Sequence, residues 1–230
     1  MKTLKYLYFT IALILISCSS ATNNADFIEK ATGRYLYNSD EIIKVYFQES
    51  ELYMEWRGAK SIKPLKVNET TFFVKEMNEK IQFLKNPKDQ KEYIVLVPKE
   101  EETKINYNYI KLETHENIPS EYLKAGEFTK ALDAYVAIKL KDSLDASLNE
   151  RNFNSMGYEQ LREENFEKAI QLFSINVALY PESANVYDSL GEAFLKSGDT
   201  IQAILNYKKT LKLDSGNARA KNILKKIEKK

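Results

Sequence analysis

Hydrophobic and polar residues alternate with a period of two over much of the first half of the chain. Ile43, Val45 and Phe47 are hydrophobic, for example, and Lys44 between the first two is charged. Clusters of turn-forming residues interrupt the alternation about every ten residues, as residues 86–89 do. Short alternating runs of this kind are typical of antiparallel strands, and the pattern predicts about eight of them. We expect an antiparallel β domain at 27–112, folded as a small β-barrel or sandwich.

The period changes to 3.6 residues in the second half of the chain, and this half also repeats itself. Gly157 and Gly191 lie 34 residues apart, and so do Ala169 and Ala203. A fixed offset of this kind is the signature of a repeated helix pair. The pattern predicts paired helices at 153–163 and 166–179, and again at 184–197 and 200–213. Glycine costs about 1 kcal/mol relative to alanine inside a helix, so we expect both glycines where two helices approach closely.

A third, degenerate unit precedes the two clear repeats. Ala131 and Tyr135 repeat the spacing of the second helix, but Ala131 lies 38 rather than 34 residues before Ala169. Pro119 stands where the helix glycine is expected, so the first helix of this unit should begin late. The predicted boundaries are a linker with the degenerate unit at 113–149, repeats at 150–183 and 184–216, and a basic capping helix at 217–230.

The residues of the second repeat resemble a known family. Tyr187, Leu190, Gly191 and Phe194 follow the spacing aromatic-x2-Leu-Gly-x2-aromatic, and Ala203 begins an Ala-x3-aromatic segment. This spacing resembles the tetratricopeptide repeat (TPR). The resemblance implies an all-α, TPR-type helical solenoid after the β domain, which makes the fold class α+β with two domains. Because three units are about the minimum for a stable solenoid, we expect the β domain to pack on the degenerate unit.

In proteins of the TPR family, the first helix of each pair lines a concave groove. The resemblance implies groove positions at Arg151, Asn154, Tyr158 and Arg162 in the first repeat and at Asn185, Asp188, Glu192 and Lys196 in the second. All eight side chains carry polar groups, and their charges are mixed. Such a groove favours a peptide or protein segment that is recognised by hydrogen bonds. The alternative is a groove that is only solvated.

The first residues of the chain have the pattern of an export signal. Lys2 and Lys5 precede an apolar stretch that is shorter than the roughly 20 residues of a membrane-spanning helix. Residues 15–18, Leu-Ile-Ser-Cys, resemble the lipobox of bacterial lipoproteins. The resemblance implies a signal peptide at 1–17, cleavage before Cys18 and attachment of lipid to this cysteine. The alternative is an ordinary signal peptide with an incidental cysteine.

The residues after Cys18 refine this picture of an exported, lipid-anchored protein. Residues 18–26 are mostly small and polar, which predicts a flexible tether. Ser19 follows the cysteine, and by resemblance to the sorting rule of enteric bacteria this residue favours the outer membrane. The expected location is therefore the cell envelope, with the lipid in the cell membrane or the outer membrane.

Composition and charge narrow the classes of function. The chain has 34 basic and 33 acidic residues, so no strong field favours a nucleic acid partner. Its single cysteine excludes an internal disulfide and a cysteine-based zinc cluster. The sequence has no Ser-x-x-Lys, Gly-x-Ser-x-Gly or His-Glu-x-x-His motif and no phosphate-binding loop, and its one histidine, His115, lies in the predicted linker. We expect a non-enzymatic protein without a cofactor or metal site.

A second resemblance concerns the order of the domains. The β pattern, followed by Met156-Gly157-Tyr158 and by residues 185–192, resembles the C-terminal half of bacterial serine hydrolases of the β-lactamase type, without their catalytic domain. The sequence therefore predicts a membrane-anchored protein–protein interaction module. The alternatives are a lipoprotein that binds a glycan or small ligand through β-domain aromatics such as Trp56, a remnant or accessory of a serine hydrolase, and a hydrolase with an unfamiliar carboxylate site.

Overall fold

The N-terminal half of the chain forms two antiparallel sheets. The computed structural model describes residues 22–99, 104–227 and 229. The first sheet has the strand order β1 (Gly33–Asn38), β2 (Glu41–Gln48), β3 (Glu51–Trp56) and β4 (Ala59–Ile62). The second has the order β5 (Leu65–Lys66), β6 (Thr71–Val74), β7 (Glu79–Lys85), β8 (Glu92–Leu96) and β9 (Tyr109–Ile110). Each strand pairs with the next one along its sheet, as the alternating pattern predicts for a meander.

The two sheets do not close into a barrel. They are joined on one side, where Tyr35 of β1 forms a bridge with Lys111 and the N–H of Leu112 donates to the carbonyl oxygen of Arg34 at 2.8 Å. On the other side β4 and β5 are not paired within the described residues. Pro64 lies between these two strands and has no N–H to donate to a ladder. Of the two predicted arrangements the closed barrel is therefore wrong, and the sheets form an open sandwich.

Aromatic rings from both sheets and from a short helix, α1 (Ala25–Ala31), fill the core of the sandwich. Phe27 of α1 stacks on Phe72 with ring centroids 5.8 Å apart and meets Phe83 edge to face at 5.4 Å. Tyr35 contacts Phe83 from the other sheet at 5.9 Å. Burial of one large apolar side chain contributes about 1.5–3 kcal/mol. This cluster therefore holds the sheets together.

The flexible tether predicted at 18–26 is wrong from Asn23 onward. Asn23 is buried, and its backbone and side-chain nitrogens both donate to the carbonyl oxygen of Ser50, at 3.0 and 2.9 Å. The side chain of Asn24 accepts a hydrogen bond from the N–H of Phe27 at 2.8 Å and so caps α1. The cap and the hydrogen bonds to Ser50 order this segment despite its small polar residues. Residues 18–21 lie outside the described residues.

The C-terminal half is helical and has the predicted pairing. Its helices are α2 (Pro119–Lys124), α3 (Phe128–Lys141), α4 (Glu150–Arg162), α5 (Phe166–Leu179), α6 (Ala184–Ser197), α7 (Thr200–Leu213) and α8 (Ala218–Ile227). Helix α4 packs on α5, α5 on α6, and α6 on α7. This is a TPR-like succession of helix pairs, in the order that the 34-residue repeat predicts. Among the described residues no helix combines the length and the apolar character needed to cross a membrane.

The two helix glycines lie where the sequence predicts a close approach. A Cβ atom added to Gly157 of α4 would lie 2.5 Å from Cε1 of Phe173 in α5. A Cβ atom added to Gly191 of α6 would lie 3.3 Å from ring carbons of Tyr207 in α7. In both repeats an aromatic ring of the second helix therefore packs on the bare backbone of the first. This packing offsets the low helix propensity of glycine.

The degenerate unit departs from the repeat in the way that its sequence predicts. Its first helix, α2, begins at Pro119 and has only 6 residues, whereas α4 has 13. Its second helix, α3, packs against α5 of the next unit. Tyr135 of α3 meets Phe153 of α4 edge to face, with ring centroids 4.9 Å apart. The shifted offset thus changes the packing without interrupting the apolar core.

The turn between β1 and β2 joins the β sandwich to the degenerate unit. The carboxylate of Asp40 accepts hydrogen bonds from the N–H of Ser120 and from the hydroxyl of Tyr135, both at 2.6 Å. Burial raises the pKa of Asp40, while the hydrogen bonds from Tyr135 and Ser120 act in the opposite direction. Arg34 of β1 also forms an ion pair with Glu121 of α2. The β domain therefore packs on the degenerate unit, as expected.

We predict that Gly157→Ala destabilises the protein more than Gly191→Ala. The new methyl group at position 157 would overlap the Phe173 ring, whereas Tyr207 needs to move by only a few tenths of an ångström at position 191. Overpacking costs about 1–3 kcal/mol, and the gain in helix propensity returns at most about 1 kcal/mol. Urea unfolding followed by circular dichroism measures both variants. Equal free energies of unfolding for the two variants would contradict this prediction. They would show that the Phe173 ring can move aside without a cost in stability.

Candidate binding groove on the first helices

Helices α4 and α6 present the predicted groove residues at matching positions. In each helix the four residues follow the spacing i, i+3, i+7 and i+11, which places them on one face. The side chain of Asn149 accepts hydrogen bonds from the N–H groups of Arg151 and Asn152 and so begins α4. The predicted residues therefore belong to one surface, built on two neighbouring first helices.

The centre of this surface is an ion-pair cluster that includes a residue from α8. Arg219 of α8 donates from Nη1 to Oδ2 of Asp188 and from Nη2 to Oε2 of Glu192. The hydroxyl of Tyr158 donates to the same Oε2 atom at 3.1 Å. We call Tyr158, Asp188, Glu192 and Arg219 the Arg219 cluster. It links α4, α6 and α8 through their side chains.

The acidic residues of the Arg219 cluster differ in their surroundings. Asp188 is only 8% exposed, and its Oδ1 atom has no hydrogen-bond partner among the described residues. Burial raises the pKa of Asp188, and the nearby Arg219 guanidinium partly opposes this rise. Glu192 is more open, and its Oε1 atom lies 3.7 Å from Nζ of Lys196. The cluster thus combines a buried acceptor with a more accessible carboxylate.

Tyr207 of α7 forms the floor next to the Arg219 cluster. Its side chain is fully buried, and its hydroxyl has no hydrogen-bond partner in the described part of the chain. Burial raises the pKa of Tyr207 to about 12. The Arg219 guanidinium lies 6.0 Å from the centre of the ring. The ring that packs on Gly191 therefore also supports the guanidinium.

The other predicted groove residues lie around this centre. Asn185 donates to Oε1 of Glu150 at 3.0 Å and thus links α6 to α4. The Oδ1 atom of Asn154 is buried and has no hydrogen-bond partner in residues 22–99 and 104–227. Arg151 and Arg162 are exposed, and their guanidinium groups form no ion pair with the described residues. The surface therefore has an acidic centre with an exposed arginine near each end of α4.

Arg219 is the residue that the groove prediction missed. It follows Arg151 and Asn185 at successive 34-residue intervals. In the repeat register α8 therefore corresponds to α4 and α6, and Arg219 occupies its first groove position. The repeat register contains this signal, although the basic composition of 217–230 by itself predicts a capping helix or a contact with an anionic surface and not a groove residue. Lys225 occupies the position that corresponds to Gly191 and is exposed. Helix α8 therefore has the register of a first helix without its close-packing glycine.

The remaining candidate residues do not assemble into a second site. Cys18 lies outside the described residues. Trp56 is half-buried, and the guanidinium of Arg57 lies 4.7 Å from the centre of its indole ring. A sugar that stacked on this ring would have to share it with Arg57. His115 is exposed in a turn. Within the described ranges no group of three His, Cys, Asp or Glu side chains is placed to hold a metal ion.

Comparisons with known proteins give similarity to solved structures, two of which each cover about half of this chain. No protein-family model matches the chain, and no curated protein is significantly similar to it. Similar solved structures include the first TPR domain of human RPAP3, with 24% identity over 48% of this chain and 84% of that chain at a TM-score of 0.35. PcrH from Pseudomonas aeruginosa has 20% identity over 48% of this chain and 86% of that chain at a TM-score of 0.34. The description as TPR-like rests on the 34-residue register and the helix packing above.

We predict that Arg219→Ala destabilises the protein, because it leaves Asp188 and Glu192 without their shared cation. Breaking a buried ion pair costs about 3–5 kcal/mol, and a partly exposed pair costs less. The free energy of unfolding should therefore fall by about 1–2 kcal/mol, measured by urea unfolding. Lys221→Ala, an exposed charge on the same helix, serves as the control and should have little effect. Equal effects of the two substitutions would contradict a stabilising role of the cluster.

Proposed function

We propose that this protein is a lipid-anchored, non-enzymatic interaction module of the bacterial cell envelope. It binds a segment of another protein along the groove formed by α4, α6 and α8. The observation that supports this proposal best is the buried polar centre of the groove. Asp188 and Asn154 each have a buried oxygen without a hydrogen-bond donor among the described residues. Because such groups are costly to bury unpaired, a partner that displaces the side chains covering them and supplies donors gains binding energy there.

Two exposed cations on α4 support the same proposal. Arg151 and Arg162 are exposed at opposite ends of α4, and neither is used in an ion pair with the described residues. Exposed arginines of this kind are suited to carboxylates of a partner, since the guanidinium group donates in a planar fork. A segment of mixed charge would therefore meet cations on α4 and carboxylates on α6.

The lipid anchor is a proposal from the sequence around Cys18. Only five peptide units separate Cys18 from Asn23, the residue that is hydrogen-bonded to Ser50. An extended chain spans at most about 3.5 Å per residue, so the β sandwich would begin within about 17 Å of the lipidated cysteine. The sandwich would then lie next to the membrane and hold the groove away from it.

We predict that reversing the charge of the two exposed groove arginines abolishes partner binding. The variant Arg151→Glu with Arg162→Glu leaves the Arg219 cluster intact. Crosslinked affinity capture from native membranes compares this variant with the wild type. A partner of the groove should be captured by the wild type and reduced at least tenfold with the variant.

The matched control carries the same charge change on a second helix of a pair, α7. Lys208→Glu with Lys212→Glu alters two exposed residues of α7, a second helix. This control should capture the same partner as the wild type. If the groove variant and the control capture identical sets of proteins, the groove is only solvated and the proposal is wrong.

We predict that Cys18 carries the lipid. Cells that express the wild type should incorporate labelled palmitate into the protein, which should sediment with the membranes. Cys18→Ala should remove the label, because the thiol and the amino group of this residue are the expected acylation sites. A labelled Cys18→Ala protein, or an unlabelled wild type that leaves the membrane fraction, would contradict the anchor and favour an ordinary signal peptide.

A further inference from the structure

The Arg219 guanidinium is held in the way that a bound arginine would be. Its two terminal nitrogens donate to different residues, Nη1 to Asp188 and Nη2 to Glu192. A planar fork that meets two carboxylates in this way is specific for guanidinium, because an ammonium group acts as a single point charge. The ring of Tyr207 lies 6.0 Å away and adds a favourable cation–π contact.

The carboxylates of the Arg219 cluster have more capacity than Arg219 uses. Two acidic groups face one guanidinium, and Oδ1 of Asp188 remains buried without a hydrogen-bond donor among the described residues. Lys196 contributes a further positive charge only at the rim, 3.7 Å from Oε1 of Glu192. The centre of the groove therefore keeps an unused acceptor next to the guanidinium.

Arg219 is also the member of the cluster that is easiest to displace. Its side chain is 42% exposed, compared with 12% for Asp188 and 20% for Glu192. It comes from α8, which packs on α7 through Ala220 and Leu224. The acidic residues lie within the stack, on α6, while their cation lies on the last helix of the structure. A competing cation could replace Arg219 while α6 and α7 keep their packing.

We propose that the two carboxylates of the Arg219 cluster form a guanidinium-binding site that takes an arginine side chain of the partner segment. Arg219 occupies this site when the partner is absent and competes with the partner arginine for it. This inference rests on the proposed function, because it names the chemistry of the segment that the groove binds. The partner arginine replaces Arg219 between Asp188 and Glu192. Binding by the wild type is therefore weaker than the site itself allows, since Arg219 must first leave.

The test uses a short peptide probe and variants of Arg219. The probe is acetyl-Ala-Ala-Arg-Ala-Ala-amide, and its control contains citrulline, which has nearly the shape of arginine but no charge. Binding is measured by calorimetry to the wild type, Arg219→Gln and Arg219→Ala. Circular dichroism shows which variants are folded, and Arg219→Gln retains an aliphatic stem if Arg219→Ala unfolds. Lys221→Ala serves as the control for loss of a charge from α8.

The arginine peptide should bind the two Arg219 variants at least tenfold more tightly than the wild type or Lys221→Ala. Addition of Glu192→Gln to Arg219→Gln should remove this gain, and the citrulline peptide should not bind. Equal affinity of the arginine peptide for the wild type and the Arg219 variants overturns the proposal, and so does absence of binding to the folded Arg219 variants.

These outcomes are distinct from those of the capture experiment. If the arginine peptide fails to bind but reversal of Arg151 and Arg162 still abolishes capture, the groove binds a partner of another chemistry. This inference is then wrong, while the proposed function stands. If the peptide binds the Arg219 variants but capture does not depend on the groove, the guanidinium site is supported and the proposed function is wrong.

Discussion

The distance between the two helices of each repeat is the constraint on which the rest of the helical half depends. Phe173 and Tyr207 pack directly on the backbone at Gly157 and Gly191, where any side chain would intervene. This contact sets the position of each first helix relative to its second helix. Because both repeats use the same contact, α4 and α6 present their polar faces side by side. The polar surface shared by α4 and α6, with its Arg219 cluster, follows from this alignment.

Polar contacts close the two ends of the helical stack. At one end Asp40 of the β1–β2 turn accepts hydrogen bonds from Ser120 and Tyr135 of the degenerate unit. At the other end Arg219 joins α8 to α6 through two carboxylates. Polar contacts also link the two repeats to each other, as the hydrogen bond from Asn185 to Glu150 does. Directional polar contacts therefore accompany the apolar packing along the described helices.

The sequence predicted the helical half better than the β half, for a physical reason. The predicted helix at 166–179 coincides with α5. Two patterns in the sequence, the 3.6-residue period and the 34-residue repeat, both reflect the packing of this helix. Closure of the sandwich depends on whether β4 and β5 pair across Pro64, which alternation along single strands does not specify. Asparagine is a favourable N-cap residue, so a helix starting after Asn24 could have been predicted. The small polar composition of residues 18–26 predicted a flexible tether instead. Arg219 contacts Glu192 and Asp188, which precede it by 27 and 31 positions in the chain. Only the extended repeat register therefore relates Arg219 to the groove.

The attachment of Asn23 to Ser50 has a mechanical consequence. Both hydrogen bonds of Asn23 end on the turn between β2 and β3, and Phe27 inserts into the core a few residues later. A pull on the N-terminus therefore acts on the sheets and on their aromatic core. A pull on the groove reaches the sheets through the chain between β9 and α2 and through the contacts of Ser39, Asp40 and Arg34 with the degenerate unit. For a protein held at its N-terminus, tension between membrane and partner would pass in series through the sandwich and this junction.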